Sequence, residues 1–590
     1  MKASTKTIYK LFSKHKARLI TIIAIVIVSI GFMAGIGEVE HTIKSGFNDY
    51  YYSQNVSDLH LKSTSTFGFK SSEINQVEEL FDGKIQKSLC YEYKDGENVI
   101  RLQISDLTNS AINTFNLEQG RLPVSSSEVL VERATDTLIS YNVGDTIKIQ
   151  GKDYTVCGIA INPLCILKSE EISFAYENEN VDAIYYLNQT PPIVNDIYLT
   201  FSQEERSRFN EFSAEYKSLV NQYKSVLQDK LPSDSFVALS LYENAGIMSL
   251  ISYAEKVGQI ALIFVVFFLL VTMLVVYSTM SRLLEEERPL IACQKTLGFS
   301  NNSIVFKYTF FVMLATIIGG ALSFPVGHLL TKILYKAFNM LFAMPPYPSI
   351  FSGKFFAVTF VLIFLATTLL TIISSKKMID NKPVVLLSPK ATKKGRKIIL
   401  EKIPFIWNRL SFKYKSTFRN VLLFRSRFYM TVISVLGSSI LVLAGMGLFD
   451  CALKDNNAGA IIAISIVVII FSALLCALVI YNLTNINVSE RNREIATLMV
   501  LGYKEKEITG YIYREIYIMS FIGAILGLPF GTLFLDFVFN FIDYGQIAGI
   551  NWWTWILTPL LTIFFAFLST LLLKKKILKT NMNDSLKTLE

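Results

Sequence analysis

The sequence predicts an α-helical integral membrane protein: eight transmembrane helices in two repeats, with one α+β domain between helices 1 and 2. Three observations predict it. Of the 590 residues, 51% are hydrophobic and the mean hydropathy is +0.40, a balance that a water-soluble chain of this size could hardly keep. Eight apolar runs are long enough to cross a hydrocarbon core of about 30 Å, which takes about 20 helical residues. The chain also matches itself, without gaps, at a shift of 204 residues.

The runs extend from Leu19 to Gly37, Val257 to Thr279, Thr309 to Thr331, Phe355 to Ile373, Phe428 to Phe449, Ala460 to Thr484, Ile516 to Leu535 and Trp553 to Leu573. The first follows Lys2, Lys6, Lys10, Lys14, Lys16 and Arg18, the charged flank of a signal sequence. Its length and the seven runs behind it favour a retained signal anchor over a cleaved peptide. Counting of basic residues places the N-terminus in the cytoplasm, and eight spans return the C-terminal tail, from Lys574, to the same side. The linker from Ser374 to Arg427 holds fifteen Lys or Arg against only Asp380 and Glu401, so it too belongs inside, where it can meet anionic lipid. The net charge of +9 is therefore a topology signal, and nucleic acid is not expected as a partner.

The one large loop, Glu38 to Lys256, is long enough for a soluble domain outside the membrane. Short strands are expected at Glu128 to Val131, Thr146 to Gln150 and Tyr154 to Ile159, with turns at Gly144-Asp145 and Gly151. A helix is expected from the capping pattern at Ser202 to Glu205. Phe209, Phe212, Tyr216, Leu219, Tyr223 and Val226 then recur at three- and four-residue steps, either as a face packed on its own domain or as the seam of a stalk. Cys157 and Cys165 could approach across a turn, but Cys90 would be left over, and free thiols are the simpler expectation. The six cysteines show no metal-ligand spacing, and His41 and His60 have no hydrolase motif beside them, so neither a metal nor a catalytic residue is assigned.

The shift of 204 aligns Tyr277 with Tyr481, Glu286 with Glu490, Ile291-Ala292 with Ile495-Ala496, Leu297-Gly298 with Leu501-Gly502, and Ile304 with Ile508. It also aligns Gly319, Pro325 and Gly327 with Gly523, Pro529 and Gly531. Chance matching of apolar residues does not keep two Leu-Gly pairs and two Pro-x-Gly sets in one register. An even number of spans separates the copies, so they share an orientation and are related by an axis along the membrane normal. One chain then offers two similar surfaces to a two-fold symmetric partner. The units run over 257–373 and 460–573, with residues 1–18 a basic N-terminus, 374–427 the linker, 428–449 the fifth span and 574–590 the tail.

The segment from Ser489 to Gly502, directly after a span, resembles the cytoplasmic signature of FtsX-like ABC transporter permeases. Gly120-Arg-Leu-Pro123, Ser127 to Val131 and Val143 to Ile147 are similar to the MacB-type external core of that family. The resemblance implies a permease subunit in a bacterial plasma membrane, serviced by a separate ABC ATPase dimer that uses ATP and magnesium, with no cofactor on this chain. It implies that the helix after the second span docks on the ATPase and that the spans carry motion to the external domain. The docking residues it points to are Glu286, Glu287, Arg288, Leu297 and Gly298 in the first copy. In the second they are Glu490, Arg491, Arg493, Glu494, Leu501 and Gly502. The bland alternative is a solvated helix that reverses the chain. The first copy departs from the pattern, with Pro289 and Leu290 where the second has Arg493 and Glu494, so the two dockings are expected to differ. Pro289 suits a first helical turn.

The chain itself shows no GxxxxGK[ST] loop: Gly83-Lys84, Gly151-Lys152 and Gly353-Lys354 are followed by Ile, Asp and Phe, without a hydroxyl for magnesium. An ion-coupled carrier would need ionisable groups near the midplane, and the spans are nearly bare. His328 and Lys332 lie toward the outer end of the third span and Asp536 toward that of the seventh. Lys332 and Asp536 are equivalent under the shift, which allows either a pair at an outer gate or two end charges snorkelling to the interface. Substrates in scope are a peptide, lipid or lipoprotein. A sensory role with a sensor kinase, or control of a cell-wall hydrolase, is the alternative.

Overall fold

The computed structural model describes residues 3–108, 112–133, 141–168, 173–208, 210, 212–232, 235–348, 353–387, 401, 404–409, 411–423, 425–454, 459–490, 497, 499–503 and 505–578. In chain order the first helices are α1 (Ala3–Lys14), α2 (Lys16–Ser53), α3 (Ser71–Leu80), α4 (Gln203–Arg208), α5 (Ala214–Lys230), α6 (Ala245–Glu286), α7 (Arg288–Thr296) and α8 (Asn301–Phe338). After them come α9 (Lys354–Ile379), α10 (Pro383–Leu387), α11 (Pro404–Arg409), α12 (Phe412–Leu423), α13 (Arg425–Ala452), α14 (Gly459–Glu490), α15 (Glu505–Ile542) and α16 (Trp552–Leu578). Eight of them, α2, α6, α8, α9, α13, α14, α15 and α16, are long and apolar enough to cross a membrane. The apolar exterior runs in stripes at helical steps, for example Leu262, Val266 and Leu270 on α6 and Val361, Leu365 and Leu369 on α9, as lipid-facing surface requires.

Two compact units divide the chain. The first holds Met1–Glu38, Val257–Thr331 and Ser352–Glu590, and the second Val39–Lys256 with Lys332–Phe351.

Small residues set the helix packing of the first unit. A side chain on Gly319 of α8 would strike Val26 and the carbonyl of Ile23 on α2, and one on Gly523 of α15 would strike Val435 and the carbonyl of Val432 on α13. Gly327 likewise abuts the carbonyl of Gly31, and Gly531 the backbone of Ile440. Val26 and Val435, Ile23 and Val432, and Gly31 and Ile440 are all 409 positions apart. The same shift carries α1 onto α12 and the start of α2 onto the start of α13. The fifth span is therefore the counterpart of the first, and the repeat is a short helix plus four spans. Contacts between the copies are reciprocal: Phe32 of α2 meets Phe471 of α14 at 5.3 Å between ring centroids, and Gly437 of α13 faces Val271 of α6. Asn482 Nδ2 of α14 donates to Thr279 Oγ1 of α6 at 2.8 Å.

Each copy ties its first span to its last through a buried carboxylate. Glu38 of α2 accepts from the amides of Gly353 and Phe355 at the start of α9, at 3.1 and 3.3 Å. Asp450 of α13 accepts from the amide and side chain of Asn551, from Trp553 Nε1 and from Thr554 Oγ1 at the start of α16, at 2.6–3.3 Å. Both carboxylates satisfy amides that a helix N-terminus leaves unpaired.

The second unit is built on a ten-stranded sheet of β1 (Leu59–Ser63), β2 (Ile85–Asp95), β3 (Asn98–Ser105), β4 (Asn116–Gly120), β5 (Glu128–Glu132), β6 (Thr146–Ile149), β7 (Lys152–Ile161), β8 (Ala183–Asn188), β9 (Asp196–Leu199) and β10 (Phe236–Ser240). Its order is β10-β1-β9-β2-β3-β8-β5-β7-β4, with β6 paired to β7. The β6–β7 hairpin turns on Gln150 and Gly151, both at positive φ (46° and 82°), as a two-residue hairpin demands. The Gly-Arg-Leu-Pro and Ser-Glu-Val motifs form one clasp. Arg121 Nη1 donates to Glu128 Oε2 at 2.9 Å, and Glu128 also accepts from the amides of Val124 and Ser125 at 2.9 and 3.2 Å. The Arg121 hydrogen bond, with those two amides, holds the Glu128 carboxyl at about 2.

Two expectations for this region change. The aromatic helix is two helices, α4 and α5, because Ser213 opens a new one by accepting from the Tyr216 amide at 3.2 Å. Helix α5 packs on its own domain rather than forming a stalk: Tyr216, Val220 and Leu227 are buried with Leu59, Leu61, Ile197 and Leu199, Leu219 and Tyr223 pack partly against them, and Val226 of the expected face is exposed. Phe209 lies outside the described residues. Residues 332–351, expected within the first repeat unit between its third and fourth spans, belong to the second unit. There Lys168 Nζ donates to the carbonyl of Asn339 at 2.5 Å, and the Ala343 amide to the carbonyl of Ile166 at 2.7 Å. Cys90, Cys157 and Cys165 are free thiols, and burial pushes Cys90 up to about 12, well away from reactivity.

Candidate coupling interface

Helix α7 follows the second span directly. Glu287 precedes it and Pro289 occupies its first turn, where the missing amide proton costs nothing. Ile291 and Ala292 are buried, whereas Leu290 and Leu297 face outward. The helix ends in a Schellman motif: the Phe299 amide donates to the carbonyl of Gln294 and the Gly298 amide to that of Lys295, both at 3.1 Å. Gly298 stands at φ 83° with open space around its Cα, so the backbone conformation, not crowding, requires glycine.

The second copy repeats this ending. Gly502 stands at φ 84°, the Gly502 amide donates to the carbonyl of Met499 at 3.1 Å, and the Leu501 amide to that of Thr497 at 3.0 Å. Leu297 is 76% exposed and Leu501 68%. Each copy thus ends its segment on an outward leucine held in place by a left-handed glycine. Arg491, Arg493 and Glu494 lie outside the described residues, as does the side chain of Glu490.

The two acidic residues of the first copy differ: Glu286 is exposed and Glu287 is buried. Glu287 is 3% exposed, and its Oε1 accepts from Lys14 Nζ at 2.7 Å and lies 3.1 Å from His15 Nε2. Arg18 pairs with Glu286. Burial alone would raise the Glu287 carboxyl, but the His15 and Lys14 hydrogen bonds, with the charges of Lys14 and Lys307, bring it down to about 2. The Glu287 carboxylate, expected at the docking surface, is enclosed in this chain and fixes α7 to α1. Arg288 donates to the carbonyl of Val385 on α10 at 2.6 Å. Lys295 Nζ donates to the carbonyls of Ile379 and Asn381 at 2.6 and 2.9 Å, a cation on the C-terminal end of α9. The shift of 204 replaces Arg288 by Asn492 and Lys295 by Met499, so these ties belong to the first copy.

Sequence reasoning missed Lys14 and Arg18 as structural partners because their charges read as topology signals, and it assigned nothing to His15 or Lys295. One trace was available: Arg18 and Glu286 have Arg427 and Glu490 at the equivalent places of the second copy. Of the suggested gate residues, Lys332 is exposed in the second unit and Asp536 exposed in the first.

The FtsX-like permease C-terminal family matches the chain twice, over residues 262–383 and 466–582. The chain is a duplicated FtsX-like permease. The starts of the two matches are 204 residues apart, the shift of the internal repeat, and each match covers the last three spans of one four-span copy. No curated protein matches the permease in sequence. Family membership makes it the permease subunit of an ABC transporter, a multi-pass membrane protein rather than a catalytic enzyme, and permeases of this family generally work with an ABC ATPase partner.

Proposed function

We propose that this permease couples ATP hydrolysis by a separate ATPase dimer to movement of the domain between its first two spans, at the outer face of a bacterial plasma membrane. The substrate class we favour is a peptide, lipid or lipoprotein taken up at that face. The paired, outward Leu297 and Leu501, each on a left-handed glycine, carry the proposal: a symmetric ATPase dimer needs two like contacts from one chain. The basic N-terminus, linker and tail support a cytoplasmic position for both ends. Helices α2, α6 and α8 contribute residues to both units, which suits them to carry motion.

Charge at the leucines tests this. Leu297→Asp with Leu501→Asp is expected to lower stimulation of the partner ATPase by at least about tenfold, since burying an unpaired carboxylate in an interface costs more than about 1.4 kcal/mol. Both positions are exposed, so expression and unfolding midpoint stay at wild-type values. Unchanged co-purification and stimulation in the double variant overturn the assignment. Glu490→Ala with Glu494→Ala probes the charged part of the second segment in the same assay.

A further inference from the structure

Helix α1 has an engaged face and an open one. On the engaged face Leu11 is buried, Phe12 packs on Phe310 and Phe311 with centroids 6.2 and 5.0 Å away, and Lys14 and His15 reach Glu287. On the open face lie Lys6, Tyr9, Lys10 and Ser13, which share one side of the helix because Lys6 and Tyr9, Lys6 and Lys10, Tyr9 and Ser13, and Lys10 and Ser13 are three or four residues apart; all are exposed, and Lys16 is exposed just beyond the helix. Residues 1–18 contain no Asp or Glu, and among the described residues Lys6, Lys10 and Lys16 form no salt bridge. Tyr9 stands 72% exposed among these ammonium groups.

The helix lies directly before α2, whose apolar run begins at Leu19, so its open face is within about a turn or two of a membrane interface. Lysine and tyrosine are the side chains that settle there, the stem in the acyl boundary and the polar tip among headgroups. The counterpart helix α12 supplies an internal comparison. Its Lys415 and Arg419 occupy the places of Lys6 and Lys10, but Lys415 lies over the Trp407 ring at 5.9 Å and Arg419 is 4.0 Å from Glu401. The uncompensated row belongs to α1.

We propose that the open face of α1 binds anionic phospholipid headgroups, their phosphates on Lys6, Lys10 and Lys16, and that the Lys14, His15 and Arg18 contacts to Glu286 and Glu287 tie the lipid-bound helix to the coupling segment. The proposal rests on the cytoplasmic orientation put forward above but not on the identity of the ATPase.

The full chain, with Cys293→Ser and a fluorophore on Ser13→Cys, is reconstituted in phosphatidylcholine nanodiscs, and energy transfer to headgroup-labelled phosphatidylglycerol or phosphatidylcholine is titrated. The expected result is a preference for phosphatidylglycerol of at least about tenfold, falling with added salt. It falls toward unity in Lys6→Gln/Lys10→Gln/Lys16→Gln, which keeps the wild-type unfolding midpoint because these side chains are exposed. Equal transfer to the two lipids, or a preference that survives in the triple variant, overturns the proposal. A triple variant that keeps the lipid preference but loses association with the ATPase marks the face as a protein-docking surface and overturns it as well. The lipid titration needs no ATPase, so its failure and a failure of the Leu297 and Leu501 test are separate results.

Discussion

Asp450→Ala is expected to destabilise the second copy by about 2–4 kcal/mol, several times the cost of a typical surface change. The carboxylate is 2% exposed and accepts from four donors at the start of α16. Its removal strands the Asn551 amide, the Thr554 hydroxyl and the Trp553 indole, and takes a negative charge from a helix N-terminus. Glu38→Ala removes contacts to the Gly353 and Phe355 amides that are longer than the shortest Asp450 contacts, and is expected to cost less, about 1–2 kcal/mol. Asp450→Asn keeps one carbonyl acceptor and falls between. The measurement is intrinsic fluorescence during detergent-induced unfolding, for which Trp552, Trp553 and Trp555 sit at the affected helix start. An Asp450→Ala midpoint equal to that of wild type would show that water replaces the carboxylate and that the tie is not structural.

These carboxylates also show where the sequence stopped being legible. Under the shift of 409, Glu38 maps to Gly447, one helical turn before Asp450. The tie between first and last span is kept while its residue has moved along the same face, so residue-by-residue alignment cannot find it. The second and third spans of each copy aligned readily, because Leu-Gly and Pro-x-Gly are required by backbone conformation and close packing at fixed places. The first and fifth spans did not. Their equivalence lies in which backbone meets which glycine, Gly31 against Gly327 and Ile440 against Gly531, and the residue types have drifted. In the external domain the β6–β7 hairpin was readable from alternation and its turn. The aromatic face was misread as one long helix, since its three- and four-residue steps continue across the break that the Ser213 cap imposes. The apolar half of the coupling segment was legible as Leu-Gly. The fate of Glu287 was not, because an acid among bases in a charged stretch looks solvated until the fold encloses it.

The enclosure of Glu287 gives the second large effect, and one with a definite pH sign. Its carboxyl is held at about 2, against about 4.3 for an unperturbed glutamate. A group whose pKa is depressed by folding contributes fully above its unfolded value and progressively less below it. The attachment of α1 to α7 should therefore be constant above about pH 5 and lost as pH falls from about 4 to about 2, a contribution of up to about 3 kcal/mol. Glu287→Gln is expected to flatten that dependence and to free α1, read as faster proteolysis between Lys6 and Lys16. Lys14→Ala should do less, since Lys14 is 61% exposed and His15 remains on the carboxylate. If α1 is released at low pH equally in wild type and Glu287→Gln, the attachment is carried by Phe12 packing and by Arg18 with Glu286 instead. Because the second copy has Leu423, Phe424 and Arg491 in the places of Lys14, His15 and Glu287, acid should loosen only the first coupling segment. Under the proposed docking on an ATPase dimer, the two contacts would then differ in strength, which an ATPase-stimulation profile against pH tests when wild type is compared with Glu287→Gln.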